Sequence, residues 1–162
     1  MNIYIDRCSN FKKIKSLTKA YEEKDQVKLI QFPFEGANSK IQYYGVPTQI
    51  TWGECNLAWG GKSDSFAWGD AKHSEKFLEI QKILGVDPQR DGDCRQLDTA
   101  YKNKADLFLT SDKGILNHKD ALEFLLGFTI LNPDSSTDFL SLQKTCSRAT
   151  VISMTSVMGS AQ

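Results

Sequence analysis

Apolar positions along the chain fall into two alternating rhythms. Ile3, Tyr4 and Ile5 form a short apolar run that stops at Asp6, the pattern of a buried strand. From Asn10 the spacing lengthens. Phe11, Ile14, Leu17 and Tyr21 recur every three or four residues with lysines between them, which predicts an amphipathic helix. Residues 27–34 (VKLIQFPF) return to a strand-like run. Pro33 assigns that run to a sheet edge or a strand end, because proline donates no ladder hydrogen bond. Ser74 predicts the N-cap of a helix whose apolar face is Phe77, Ile80, Ile83 and Leu84, ended by Gly85 and Pro88. Asp93 opens another, with Leu97, Ala100 and Tyr101 inward. Residues 106–110 (DLFLT) are an unbroken apolar strand of the kind buried inside a parallel sheet. Asp120 caps the helix ALEFLL, Gly127 closes it, and FTIL at 128–131 is the last strand before Asn132-Pro133.

Strand–helix alternation of this kind, most legible from residue 74 onward, predicts an α/β domain: a three-layer α/β/α arrangement with a mostly parallel central sheet. Residues 1–134 form the domain, and residues 135–162, rich in Ser and Thr and without a clear pattern at the end, read as a partly mobile C-terminal extension. Residues 35–72 are the least periodic part. They hold three Trp-Gly pairs at Trp52, Trp59 and Trp68, too few copies for a repeat architecture. One strand is predicted near residues 49–52, followed by a short helix and a loop.

Composition narrows the classes. The 162 residues carry 20 Lys+Arg and 20 Asp+Glu, with 40% hydrophobic residues, ordinary globular usage that excludes a disordered tail or a disulfide scaffold. The zero net charge excludes binding of nucleic acid by bulk charge. The charge is nevertheless uneven: residues 1–40 have 8 basic and 5 acidic side chains, and residues 93–140 have 5 basic and 8 acidic. An acidic C-terminal half suited to a cation thus accompanies a basic N-terminal helix suited to a phosphate. Cys8, Cys55, Cys94 and Cys146 form no C-x-x-C pair, so no structural zinc site is indicated and reduced thiols of a cytoplasmic protein are expected. No apolar run approaches the ~20 residues of a membrane helix.

In open α/β sheets, ligands bind beyond the carboxyl ends of the strands. Asp6 follows the first strand, Asp112 follows DLFLT within Thr110-Ser111-Asp112, and Asp93 starts the helix leading into that strand. Carboxylates converging there would repel one another unless a divalent cation sat among them, and hard oxygen ligands suit Mg²⁺ or Mn²⁺. The plainer reading is that an Asp after a strand is a turn or cap residue, bonding nearby backbone N–H groups.

The segment from Asp93 through Ala105-Asp106-Leu107-Phe108-Leu109-Thr110-Ser111-Asp112 resembles PIN domains, the metal-dependent nuclease fold that includes the ribonucleases of bacterial toxin–antitoxin pairs. Ile3-Tyr4-Ile5-Asp6 is similar to the family's first strand and acid, and Gly127-Phe128-Thr129-Ile130-Leu131 to its last strand. The resemblance is specific over 93–133, thin over 1–20 and weak between. It implies a PIN-like fold and a metal-dependent endoribonuclease, with Asp6, Asp93 and Asp112 as metal and catalytic residues. Thr110 and Ser111 would shape the loop holding Asp112 at the substrate. For the family's further acid, Glu54 is the best positional fit. Glu35, Glu79 and Asp98 are the alternatives, with Glu79 read on a solvated helix face and Asp98, about 140° around the helix from Asp93, read the same way. The resemblance also implies RNA as substrate, with an antitoxin protein or a second copy of the chain as partner. The sequence departs from the family after Asp6, where Arg7 and Cys8 precede Ser9, and this favours a second reading, a non-catalytic binding protein on the same fold.

Other constellations add less. Lys12 and Lys13 on the first helix are candidate phosphate contacts beside Asp6, against the plainer reading of a solvated face. The three tryptophans suit base stacking or, more commonly, burial. His73 and His118 lack a nucleophile phrase. Gly60-Gly61-Lys62-Ser63 ends like a phosphate loop, but the required upstream glycine is Asn56. A third reading makes Asp6 an aspartyl nucleophile, with Lys113 as the accompanying lysine.

Overall fold

The computed structural model describes residues 1–6, 9–32, 46–48, 71–85 and 91–158, the residues from 149 by backbone alone. Trp52, Trp59, Trp68, Glu35, Glu54 and the strand predicted near 49–52 lie outside the described residues. Four strands, β1 (Asn2–Ile5), β2 (Lys28–Ile30), β3 (Leu107–Leu109) and β4 (Thr129–Leu131), form an all-parallel sheet in the order β2-β1-β3-β4. Tyr4 pairs with Ile30 on one side and Phe108 on the other, and Phe108 pairs with Ile130. The helices among the described residues are α1 (Phe11–Glu22), α2 (Phe77–Leu84), α3 (Asp91–Lys102), α4 (Lys113–Leu116), α5 (Lys119–Leu126) and α6 (Ser136–Met158). The predicted α/β/α class is therefore the observed one.

Strand alternation sorts the core into two faces. Ile3, Ile5, Leu29, Leu107, Leu109 and Leu131 face α1 and α6, where Ile14, Leu142 and Cys146 complete a cluster. Tyr4, Ile30, Phe108 and Ile130 face the opposite layer, against Phe77 and Ile80 of α2, Leu97 of α3 and Leu122 of α5. The sheet thus has helices on both sides, which is why its strands read as continuous apolar runs. β2 is an edge strand, as the 27–34 run suggested, and among the described residues of that run Lys28–Ile30 pair.

Local signals account for most helix boundaries. Asn10 caps α1, its side chain accepting from the Lys13 N–H. Gly127 ends α5 in the left-handed region at φ 75°, and its N–H bonds to the Glu123 carbonyl, a conformation glycine adopts without a Cβ penalty. Other boundaries differ from expectation. α3 starts at Asp91, so Asp93 lies within its first turn. His118, not Asp120, occupies the cap position of α5, with Asp120 in the first turn. Lys76 precedes α2 directly. Ser74 stands two residues earlier and accepts the Lys76 N–H through its hydroxyl.

Two differences are larger. Residues 136–158, for which the sequence predicts no element, form α6, and Leu142 and Cys146 on it are fully buried in the core beside Ile14 and Leu131. Asp98 is not on a solvated face. It is 0% exposed, and it accepts from both the backbone N–H and the hydroxyl of Ser74. A buried carboxylate is tolerable only with such partners.

Candidate active site at the sheet's carboxyl edge

The chain runs outward from β1 to β2, then returns to the other side of β1 to build β3 and β4. The reversal makes the gap between the carboxyl ends of β1 and β3 the topological switch point, where crossover connections diverge and leave a crevice. Asp6 follows β1 and Thr110 follows β3 at that position. Register fixes their proximity: Ile5 is opposite Leu109, and the Asp6 N–H donates to the Leu109 carbonyl at 2.9 Å.

Thr110 connects the two strand ends chemically. Its hydroxyl donates to Asp6 Oδ2 at 2.5 Å, and Thr110 Oγ1 itself accepts the Asp112 N–H at 2.9 Å. Thr110 is fully buried and Asp6 is 6% exposed. A short O–H···O⁻ bond in such surroundings is charge-assisted and orients the carboxylate. One side chain thus fixes Asp6 and the backbone entering Asp112 together. Asp112 Oδ1 in turn accepts from the Ile115 N–H at 3.0 Å, which starts the short helix α4. Ser9 adds a further tie across the strands, its hydroxyl donating to the Leu109 carbonyl at 2.5 Å.

Asp93 is half-buried in the first turn of α3. A 12-residue helix spans about 18 Å, and α3 ends five residues before β3 begins, so its first turn lies toward the carboxyl edge. The structure joins Asp6 and Asp112 through Thr110. Among the described residues, no three His, Cys, Asp or Glu groups stand together as a cation-holding set. Carboxylate oxygens are nonetheless the donors a hard dication requires.

Of the lysines, Lys12 is exposed on α1. Lys13 is committed elsewhere: its Nζ donates to the Pro133 carbonyl at 2.9 Å and lies 4.1 Å from the centre of the Phe139 ring. Glu79 is exposed on α2, as read. Sequence reasoning missed Asp134, which follows β4 at this same edge and accepts from the Ser111 hydroxyl at 2.6 Å. The rule of inspecting residues after each strand would have found it two places beyond Asn132.

A second polar cluster lies on the far half of α3. Thr99 Oγ1 accepts the Thr48 N–H, Asn103 bonds both the N–H and the carbonyl of Val46, and Lys102 Nζ donates to the carbonyls of Pro47 and Lys72. The segment 46–48 and the segment leading into α2 are therefore held side by side on one helix. His73 Nδ1 is 3.1 Å from Thr48 Oγ1, and its ring stacks on Phe77 with centroids 3.6 Å apart. Desolvation against that ring lowers the His73 pKa below its ordinary 6.5, and this outweighs the attraction of Asp98 and Asp91. A depressed histidine binds fewer protons folded than unfolded, so stability is full above pH 6.5 and falls as pH drops through the folded value. Urea unfolding at pH 7.5 and 5 should show a smaller loss for His73→Gln than for the wild-type chain. Equal losses would remove His73 from the account.

An open cavity of about 530 Å³, lined by Glu75, Tyr101, Lys102, Lys104, Leu126 and Phe128 among others, lies at the opposite, amino edge of the sheet. Ligand sites of parallel sheets favour the carboxyl edge, so the switch point remains the candidate.

Cys94 and Cys146 are both buried, the latter with its thiol pKa pushed up by burial to about 11, unlike a reactive thiolate. No helix among the described residues is long and apolar enough to cross a membrane. No protein-family model, curated protein or solved structure matches this chain.

Proposed function

We propose that this chain is a PIN-like metal-dependent endoribonuclease that hydrolyses RNA phosphodiester bonds, with Mg²⁺ or Mn²⁺ held by Asp6, Asp93 and Asp112. The observation that carries the reading is the Asp6–Thr110–Asp112 linkage, which ties two carboxylate residues together at the switch point. A divalent ion held by such carboxylates would supply an activated water and would offset charge at the attacked phosphate. Asp6 contributes an oriented carboxylate in a nearly water-free position. Thr110 holds its hydrogen on Asp6 Oδ2 and so orients the carboxylate. Lys12 is the lysine on α1 left available for a substrate phosphate, since Lys13 is engaged. Glu54 stays the proposed further acid. An antitoxin or a second copy of the chain as partner rests on the resemblance alone.

The competing reading is a non-catalytic binding protein on the same fold. It is favoured by the cap that Asp112 provides to α4, a structural use sufficient to explain that residue. Cleavage of a labelled single-stranded RNA separates the two. Activity should appear with Mn²⁺, vanish with EDTA and fall about a hundredfold or more in Asp112→Asn, a barrier increase of about 2.7 kcal/mol. Cleavage that survives both EDTA and Asp112→Asn would sink the proposal.

A further inference from the structure

The turn 110–112 is restrained from two sides by successive residues. Thr110 reaches back to Asp6 after β1. Ser111 reaches the other way, to Asp134 after β4. Neighbouring side chains on extended backbone point in opposite directions, so one turn engages the ends of both strands that flank β3.

The anchor on the β4 side is itself held. The Asp134 N–H donates to Asn132 Oδ1 at 3.0 Å, and the Asn132 N–H donates to Asp138 Oδ2 at 2.9 Å in the first turn of α6. Lys13 Nζ on α1 donates to the intervening Pro133 carbonyl. The loop 132–134 is thus tied to two helices before it meets Ser111.

We propose that Ser111 and Asp134 are a positioning pair for Asp112, with Asp134 acting by accepting the Ser111 hydrogen bond and not by its charge. This rests on the reading of Asp112 as an ion ligand. Asp134 is exposed, and an exposed hydrogen bond adds little to global stability. Its effect belongs to the local geometry of the turn, where the orientation of a ligand by its neighbours matters most.

The test uses the full chain with Mn²⁺ as probe and needs no RNA. Calorimetry measures Mn²⁺ affinity, and hydrogen exchange without the ion reads the Asp112 and Ile115 amides. Ser111→Ala and Asp134→Ala should each weaken Mn²⁺ binding about tenfold and speed exchange at both amides, with urea midpoints unchanged. The double variant should be no worse than either single one. Asp134→Asn, whose amide oxygen still accepts, should restore both readouts. An Asp134→Asn variant as impaired as Asp134→Ala would overturn the proposal, because the charge would then be what matters. Unchanged exchange in Ser111→Ala would overturn it whatever Mn²⁺ does. A wild-type chain that binds no Mn²⁺, with exchange still faster in Ser111→Ala, overturns the metal reading and supports the pair.

Discussion

Asp6→Asn is expected to cut Mn²⁺-dependent RNA cleavage by about a hundredfold or more while changing the unfolding free energy by less than about 1 kcal/mol. The two halves of that expectation have different physical sources. Asparagine matches the size of aspartate and keeps an oxygen able to accept the Thr110 hydroxyl, so the 2.5 Å linkage has a neutral substitute. It also removes a charge that is 6% exposed beside the Asp112 turn, which relieves desolvation. What it cannot supply is the anionic oxygen a hard dication needs. Thr110→Val makes the converse change: it keeps the charge of Asp6 and removes one donor to it, leaving a buried carboxylate with one hydrogen bond fewer. That variant should lose stability as well as activity, at a cost of about 1.5–3 kcal/mol for a hydrogen bond to a charged group. Paired urea denaturation and cleavage assays decide the matter. If Asp6→Asn loses stability as Thr110→Val does, and neither alters cleavage, then Asp6 is a structural turn residue.

The parts of this chain that were legible in the sequence are those whose signals are local. Apolar runs at 3–5, 107–109 and 129–131 gave strands because both faces of the sheet are covered. Asn10 and Gly127 gave helix ends because a cap and a left-handed residue are chemistry within one turn. Asp98 was misplaced because helical periodicity cannot report what packs across a helix from elsewhere. Ser74, 24 residues upstream, supplies the two donors that make its burial tolerable. α6 was overlooked because the buried positions described on it, Leu142 and Cys146, are four apart among many hydroxyl side chains. The candidate site was half legible. Position after a strand identified Asp6 and Asp112, but the Thr110 bond between them depends on β1 lying next to β3, a pairing across 104 residues. The contact of Asp134 with Ser111 was illegible for the same reason, since it exists only once β4 lies against β3.

The largest loss of stability is expected from Phe108→Ala. Phe108 is 0% exposed at the middle of β3, an inner strand paired on both sides. Its ring stacks between Tyr4, 5.5 Å away and 4° from parallel, and Phe128, 5.8 Å away and 15° from parallel. Tyr4 is fixed there by its own hydroxyl, which donates to Gln96 Oε1 at 2.5 Å and accepts the Phe32 N–H at 3.2 Å. The neighbours are thus held in place and cannot collapse into the space a deleted ring would leave, the condition under which a cavity costs most. Truncation should cost about 3–5 kcal/mol, a large fraction of the ~5–15 kcal/mol available to a domain. Phe108→Leu refills most of the volume and should cost roughly half as much. Urea denaturation followed by circular dichroism should show the midpoint falling in that order, with the slope unchanged. Thr110 lies two residues beyond Phe108, just past the end of β3, and the Leu variant, if folded, should retain cleavage. Equal midpoints for wild type and Phe108→Ala would mean that the three-ring stack is not the centre of this core.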